Sequence, residues 1–248
     1  MKTEILGVKI DAVTESEALD RLLGFLEEEK NHLLFTPNPE MILEAQKDRE
    51  FMNILNRGDL VVPDGIGVVL ASRLMKNKIK KRVAGCDLVY SLFDKIKETG
   101  RTVYFFGGAP GVAELAKTNM EKKFPGLKIS GCADGYFNKK KEREIIKEIR
   151  ALKPDVLLVF SSFPKQEKWI FENRNRVPAR LTAGLGGSVD IMAGTVKRAP
   201  PAMRAVGLEW LWRLMLQPKR ITRMYKLPSF LLKVFIARFN NYANVTKP

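Results

Sequence analysis

The chain has 248 residues, 45% of them hydrophobic, enough for one large domain with a full core. Forty-three Lys and Arg against 28 Asp and Glu leave a formal charge of +15, which points to a polyanionic partner: nucleic acid, an anionic membrane face or a phosphorylated substrate. Two cysteines, Cys86 and Cys132, and a single histidine, His32, exclude a zinc site, a disulfide framework and a Ser-His-Asp triad.

In chain order, Ile5 to Ile10 alternates weakly and predicts an edge strand or hairpin arm. Thr14-Glu15-Ser16-Glu17 has the spacing of a capping box, and Leu19, Leu22, Leu23 and Leu26 behind it share one helical face. A strand over 33–36, a helix over 39–56, a strand over 59–62 and a helix over 65–75 follow, then a basic connector over 76–82. Residues 83–87 turn into a helix whose Leu88, Leu92, Phe93 and Ile96 share a face. A strand over 102–106 runs into Gly107-Gly108-Ala109-Pro110-Gly111 and a helix to 123, and another strand covers 127–132. After Asp134-Gly135-Tyr136-Phe137 comes a helix carrying Ile145, Ile146, Ile149 and Leu152. A strand over 155–160 meets Pro164-Lys165-Gln166-Glu167, which opens a helix, and a strand over 180–184 ends in Gly184-Leu185-Gly186-Gly187-Ser188. Strands and helices thus alternate from 33 to about 193, which predicts a doubly wound, mostly parallel, Rossmann-like α/β sheet preceded by a small strand or hairpin element.

The character changes near Gly194. Prolines 200, 201, 218 and 228 divide the remainder into short helices with no further strand, giving residues 1–195 as an α/β domain and 196–248 as an α-helical appendage. From 196 onward eleven Lys and Arg face one acid, Glu209, so this segment holds ten of the fifteen surplus charges. A helix over 228–243 sets a narrow stripe of Ser229, Lys233 and Asn240 in a broad apolar surface of Phe230, Leu231, Leu232, Val234, Phe235, Ile236 and Phe239. Such a surface must bury itself in its own core, in a partner, or at a lipid headgroup boundary. The start, Met-Lys-Thr-Glu, lacks the apolar core of a signal peptide, and no apolar run reaches the ~20 residues that span a bilayer. An intracellular protein is expected, soluble or attached to a membrane surface.

The candidate site begins at Phe35-Thr36-Pro37-Asn38-Pro39-Glu40 and Val62-Pro63-Asp64-Gly65, two turns that a parallel sheet would place side by side at its carboxyl edge, where ligands bind. Asp64, held between Pro63 and Gly65 beyond a buried strand, suits a partly desolvated general base, or an N-cap for the next helix. Thr36 and Asn38 suit the same site or plain turn formation. Gly107-Gly108, Pro164-Lys165-Gln166-Glu167 and Gly186-Gly187-Ser188 are three helix starts on one sheet edge. They fit a nucleotide sugar with its phosphates, or three well-capped helices. Arg213, Arg220 and Arg223 fall on one face if a helix continues past Pro218, as a diphosphate clamp or a solvated basic face. The spaced glycines of a dinucleotide site are lacking, which weighs against a nucleotide-dependent oxidoreductase. The basic tail interleaves its charges with buried-type apolar residues, which weighs against a nucleic-acid-binding protein.

Thr36-Pro37-Asn38-Pro39-Glu40, Pro63-Asp64-Gly65, Arg82-Val83-Ala84-Gly85-Cys86-Asp87, Gly107-Gly108, Gly135-Tyr136-Phe137, Pro164-Lys165-Gln166-Glu167-Lys168-Trp169, Gly186-Gly187-Ser188-Val189-Asp190, Lys197-Arg198-Ala199-Pro200 and Leu208-Glu209-Trp210-Leu211 come in an order that closely resembles the WecG/TagA/CpsF family of bacterial glycosyltransferases. The resemblance covers nearly the whole chain. It implies an inverting, metal-independent transfer, without a cofactor, from a UDP-sugar to a polyprenyl-diphosphate-linked sugar at the cytoplasmic membrane face. The TagA branch moves N-acetylmannosamine onto lipid-linked N-acetylglucosamine in wall teichoic acid synthesis. It implies Asp64 as base, with Thr36 and Asn38 beside it, and Arg82, Gly107, Gly108, Gln166, Gly186, Gly187 and Ser188 as substrate contacts. Arg213, Arg220 and Arg223 are implied to close over the diphosphate, and a homo-oligomer is implied as a resting form. In one departure, Phe160-Ser161-Ser162-Phe163 stands where the family usually has a glycine-containing turn; where such a turn needs a left-handed residue or a close backbone approach to the ligand, strain is expected at Ser162 and crowding by Phe163.

Overall fold

A computed structural model of the chain describes residues 1–76, 79–216, 218 and 226–245. It opens with an antiparallel hairpin, β1 (Lys2–Ile5) and β2 (Val8–Asp11), closed by Leu6 and Gly7 at φ of 47° and 80°. Two positive φ values are what a tight two-residue hairpin turn requires. Asp11, buried at the end of this hairpin, accepts from the Val61 N–H at 2.9 Å and from Arg21 at 2.8 Å, so the hairpin is pinned to the main sheet.

The main sheet comprises β3 (His32–Phe35), β4 (Leu60–Val61), β5 (Thr102–Gly107), β6 (Lys128–Ala133), β7 (Val156–Phe160) and β8 (Leu181–Gly184), all parallel, in the order β4-β3-β8-β7-β5-β6. β3, β4, β7 and β8 are buried at every position and β5 at all but Thr102, as helical crossovers demand, while the edge strand β6 is buried only at Ile129. Within β5, Val103 and Phe105 point to one core while Tyr104 and Phe106 point to the other, the two-residue period of a strand.

The helices divide between those faces. α1 (Glu15–Glu27), α5 (Gly85–Ile96), α6 (Val112–Lys123) and α9 (Ser188–Met192) cover one. α2 (Pro39–Ala45), α3 (Arg49–Asn56), α4 (Ile66–Leu74), α7 (Lys139–Leu152) and α8 (Lys165–Asn173) cover the other. The capping box at Thr14 and Glu17 forms as expected, with the Thr14 N–H donating to Glu17 at 2.7 Å. The single helix expected over 39–56 is two, because the Asp48 side chain accepts the Phe51 N–H at 3.0 Å and starts α3 afresh.

Three tail helices follow, α10 (Pro201–Ala205), α11 (Glu209–Leu216) and α12 (Lys226–Val245), and no strand occurs after β8 among the described residues. Pro228 does not divide α12, since it falls in the first turn, where the missing N–H costs nothing. α12 packs on α2 and α4, with Phe230 and Val234 fully buried and Leu227 and Leu231 partly so. Phe230 and Val234 each contribute roughly 1.5–3 kcal/mol by that burial. Gly67 permits the approach, for a Cβ there would lie 2.6 Å from both Leu227 and Pro39. The opposite face of α12 stays in solvent: Leu232, Phe235, Ile236 and Phe239 are 45–59% exposed. The apolar surface expected on this helix is therefore only half covered by the chain itself.

Candidate active site

The ladder between β3 and β4 continues beyond the strands. Val62 N–H donates to Phe35 O at 2.9 Å and Asp64 N–H donates to Pro37 O at 3.2 Å, which sets the two proline-stiffened turns side by side. Gly65, at φ +89°, turns the chain into α4 immediately after Asp64, a conformation that a side chain would strain. Asn38 caps α2, its Oδ1 accepting the Met41 N–H at 3.0 Å. Thr36 donates its hydroxyl to Gly184 O at 3.2 Å and so ties β3 to the end of β8.

β3 leads through α2 and α3 on one face of the sheet, whereas β8 leads into α9 on the other. Neighbouring parallel strands whose chains leave to opposite faces open a crevice at their carboxyl ends. A cavity of about 280 Å³ lies there, lined by residues 38–40, 64–67, 84–86 and 185–188 and roofed by Arg82, Arg198, Gly207, Glu209, Trp210 and Leu227. Asp64, Arg82 and Arg198 are all among its lining residues. Arg82 reaches Glu209 at 3.2 Å and donates to Arg204 O at 3.0 Å. Arg198 pairs with Asp87, which Arg204 also reaches at 3.4 Å. Burial works against the Arg198 charge, but the bond to Asp87 together with the neighbouring Cys86, Asp87 and Glu209 outweighs it and raises the pKa. Arg198 Nε, buried, has no hydrogen-bond partner among the described residues. Cys86 forms part of the wall, with burial pushing its thiol pKa up.

Of the residues singled out in the sequence, Asp64, Asn38, Arg82, Gly186, Gly187 and Ser188 line this one cavity. Thr36 stands behind it, holding the Gly184 carbonyl. Gly107 and Gly108 do not line it, and packing accounts for both. A Cβ on Gly107 would fall 2.0 Å from Phe160 O, and one on Gly108, at φ +78°, would lie 3.1 Å from Val189. Gln166 is buried away from the cavity, bonded to the backbone of two loops. The side chain of Arg213, and Arg220 and Arg223 altogether, lie outside the described residues. The strain and crowding expected at Ser162 and Phe163 do not occur. Ser162 is not among the residues of positive φ, and Phe163 packs on the core, stacking on Phe51 with centroids 6.5 Å apart.

Arg198, Glu209, Trp210 and Cys86 were not singled out as site residues. The signals for the first two were Arg198 in Lys197-Arg198-Ala199-Pro200 and a lone acid in a strongly basic tail. Among the described residues, no group of three His, Cys, Asp or Glu side chains is placed to hold a metal ion, and no helix is long and apolar enough to cross a membrane.

A doubly wound parallel sheet with a guanidinium-bearing crevice at its carboxyl edge defines an α/β protein with a cavity where this architecture places ligands. The chain matches the Glycosyl transferase WecG/TagA/CpsF family over residues 3–244 and belongs to it, as its ordered motifs implied. It is 37% identical over 210 residues to the N-acetylglucosaminyldiphosphoundecaprenol N-acetyl-beta-D-mannosaminyltransferase of Bacillus spizizenii, covering 85% of this chain and 81% of that protein. The protein of the same name in Bacillus subtilis (strain 168) is 34% identical, with 90% and 87% covered, and that of Staphylococcus aureus (strain MRSA252) is 30% identical, with 96% and 93% covered.

Proposed function

We propose that this glycosyltransferase moves N-acetylmannosamine from a UDP-sugar to a polyprenyl-diphosphate-linked N-acetylglucosamine, with inversion and without a metal, for teichoic acid or another surface polymer. The observation that carries the reading is that Asp64, Arg82 and Arg198 line one cavity, in a chain whose relatives' names give the transferred N-acetylmannosaminyl group and the lipid-linked acceptor. Asp64 takes the proton of the acceptor hydroxyl as its oxygen attacks the anomeric carbon from the face opposite the UDP. The bond from that carbon to the phosphate oxygen breaks, and the guanidinium groups receive the charge that collects on the departing diphosphate. Arg213, Arg220 and Arg223 add to them from the tail. Asn38 and the 186–188 turn frame the sugar and nucleotide, and Thr36 fixes the turn that carries Asn38.

Residues 196–248 are, in this reading, an appendage that seats the protein on the anionic inner face of the cell membrane, where its lipid-linked acceptor resides. The uncovered apolar face of α12 beside basic residues supports that role, and off the membrane the same face is open to a second copy of the chain. The direct test is Asp64→Asn assayed with UDP-N-acetylmannosamine and a lipid-linked N-acetylglucosamine. Transfer is expected to be abolished while melting temperature and UDP binding stay as in the native protein. Near-normal turnover by that variant would refute the assigned base.

A further inference from the structure

Gln166 and Glu167 stand in the first turn of α8, 4% and 1% exposed, outside the cavity. Gln166 Oε1 accepts two backbone N–H groups, from Ser161 at 3.1 Å and from Gly186 at 2.8 Å. Its Nε2 donates to Glu167 Oε1 at 2.7 Å. The amide therefore clamps the turn after β7 to the turn after β8, and the second of these, residues 185–188, is a wall of the cavity. Gly184 makes room for the clamp, since a Cβ there would lie 2.5 Å from Gln166 Nε2.

An amide has two ends of nearly equal shape and opposite hydrogen-bonding sense. Only with oxygen toward both loop N–H groups is the clamp closed, and the neighbour that selects this orientation is an acceptor on the far side, Glu167. A leucine would fill the same volume without the desolvation that a buried acid suffers. Glu167 Oε2 meets no hydrogen-bond partner among the described residues, so the bond to Nε2 is what accounts for a carboxyl at this position. Burial pushes its pKa up to about 7.

We infer that Glu167 is a positioning residue, acting through the orientation of the Gln166 amide to hold the 185–188 wall in its ligand-binding shape. The inference rests on the reading of that wall as a nucleotide contact. Its test is a set of three variants followed by hydrogen exchange at the Ser161 and Gly186 amides and by UDP titration. Glu167→Gln supplies a carbonyl to the same Nε2, so both readouts should stay within about twofold of the native protein. Glu167→Leu leaves Nε2 buried and unsatisfied, and should speed exchange at both amides and raise the UDP dissociation constant, each by about tenfold. Leu22→Ala, buried in α1 on the other face of the sheet, lowers the melting temperature without either effect. Should Glu167→Leu fail to fold, Gly184→Ala displaces Gln166 from its other side and is expected to give the same two changes. Unchanged exchange at Gly186 and unchanged UDP affinity in Glu167→Leu or Gly184→Ala would overturn the inference, as would the same losses in Leu22→Ala. If the native protein binds no UDP, the nucleotide reading fails by itself, and exchange at Gly186 still decides the clamp.

Discussion

Arg82 and Glu209 meet at 3.2 Å across the roof of the cavity, with side chains 18% and 15% exposed. One comes from the loop before α5 and the other is the first residue of α11, so this ion pair joins the α/β core to the basic tail, as do those of Arg198 and Arg204 with Asp87 and of Lys226 with Glu40. Glu209 is also the lone acid between 196 and 248. In the proposed reading, its carboxylate occupies a guanidinium that an entering diphosphate would use.

Glu209→Gln therefore has two opposed effects. Loss of the partly buried ion pair is expected to cost about 1 kcal/mol, which lowers the melting temperature by about 2–4 °C in a protein of this size. Removal of the competing charge is expected to tighten UDP binding severalfold, read by calorimetric titration. Weaker UDP binding in that variant would show Glu209 to be part of the binding surface instead.

Glu167 makes stability depend on pH. Its folded pKa, about 7, lies above the ordinary value of 4.5, so the folded state holds the proton more tightly. The stabilisation from this group is complete below about pH 4.5 and disappears as pH rises through 7. Glu167→Gln should be more stable than the native protein at pH 8, relative to their difference at pH 5, by about 3 kcal/mol. Urea unfolding at the two pH values measures it, and parallel curves for the two proteins would contradict it.

In the proposed reading, the two faces of α12 separate folding from membrane attachment. Phe230→Ala removes a fully buried ring and should cost about 3–5 kcal/mol of stability. Phe235→Ser with Phe239→Ser changes exposed rings and should leave the melting temperature within a few degrees. The same double variant should lower cosedimentation with vesicles of anionic phospholipid, and salt should lower it further in both proteins. Unchanged cosedimentation would remove this face from the membrane role.

Gly107→Ala distinguishes a packing glycine from a phosphate cradle. With Phe160 O only 2.0 Å from the new Cβ, and φ at +126°, the variant is expected to lose several kcal/mol or fail to accumulate as soluble protein. A stable variant impaired only in UDP binding would return Gly107 to the ligand site.

The fold was legible where periodicity was long: the alternation of apolar runs and one-faced helices from 33 to 193 defines a parallel sheet, and the capping box at Thr14 is spelled out locally. The break between α2 and α3 was not, because it depends on the Asp48 side chain choosing the Phe51 N–H over solvent. Within the site, Asp64, Asn38 and the 186–188 turn were legible because topology alone gathers turns at one sheet edge. Glu209 and Arg198 were not. Their partners, Arg82 and Asp87, are 127 and 111 residues away in sequence, and no local pattern encodes such a meeting. Gln166 was legible as a polar residue at a helix start, but its burial under Gly184 is a matter of tertiary packing, and burial turns a substrate contact into a clamp.

α12 rests on α2 and α4, and those two helices spring from the turns that hold Asn38 and Asp64. In the proposed mechanism, a tug or tilt at α12 is therefore felt as leverage at the Asp64 carboxylate. Turnover measured in detergent and turnover measured on a bilayer would then differ through the angle at which Asp64 is presented, even with every substrate saturating.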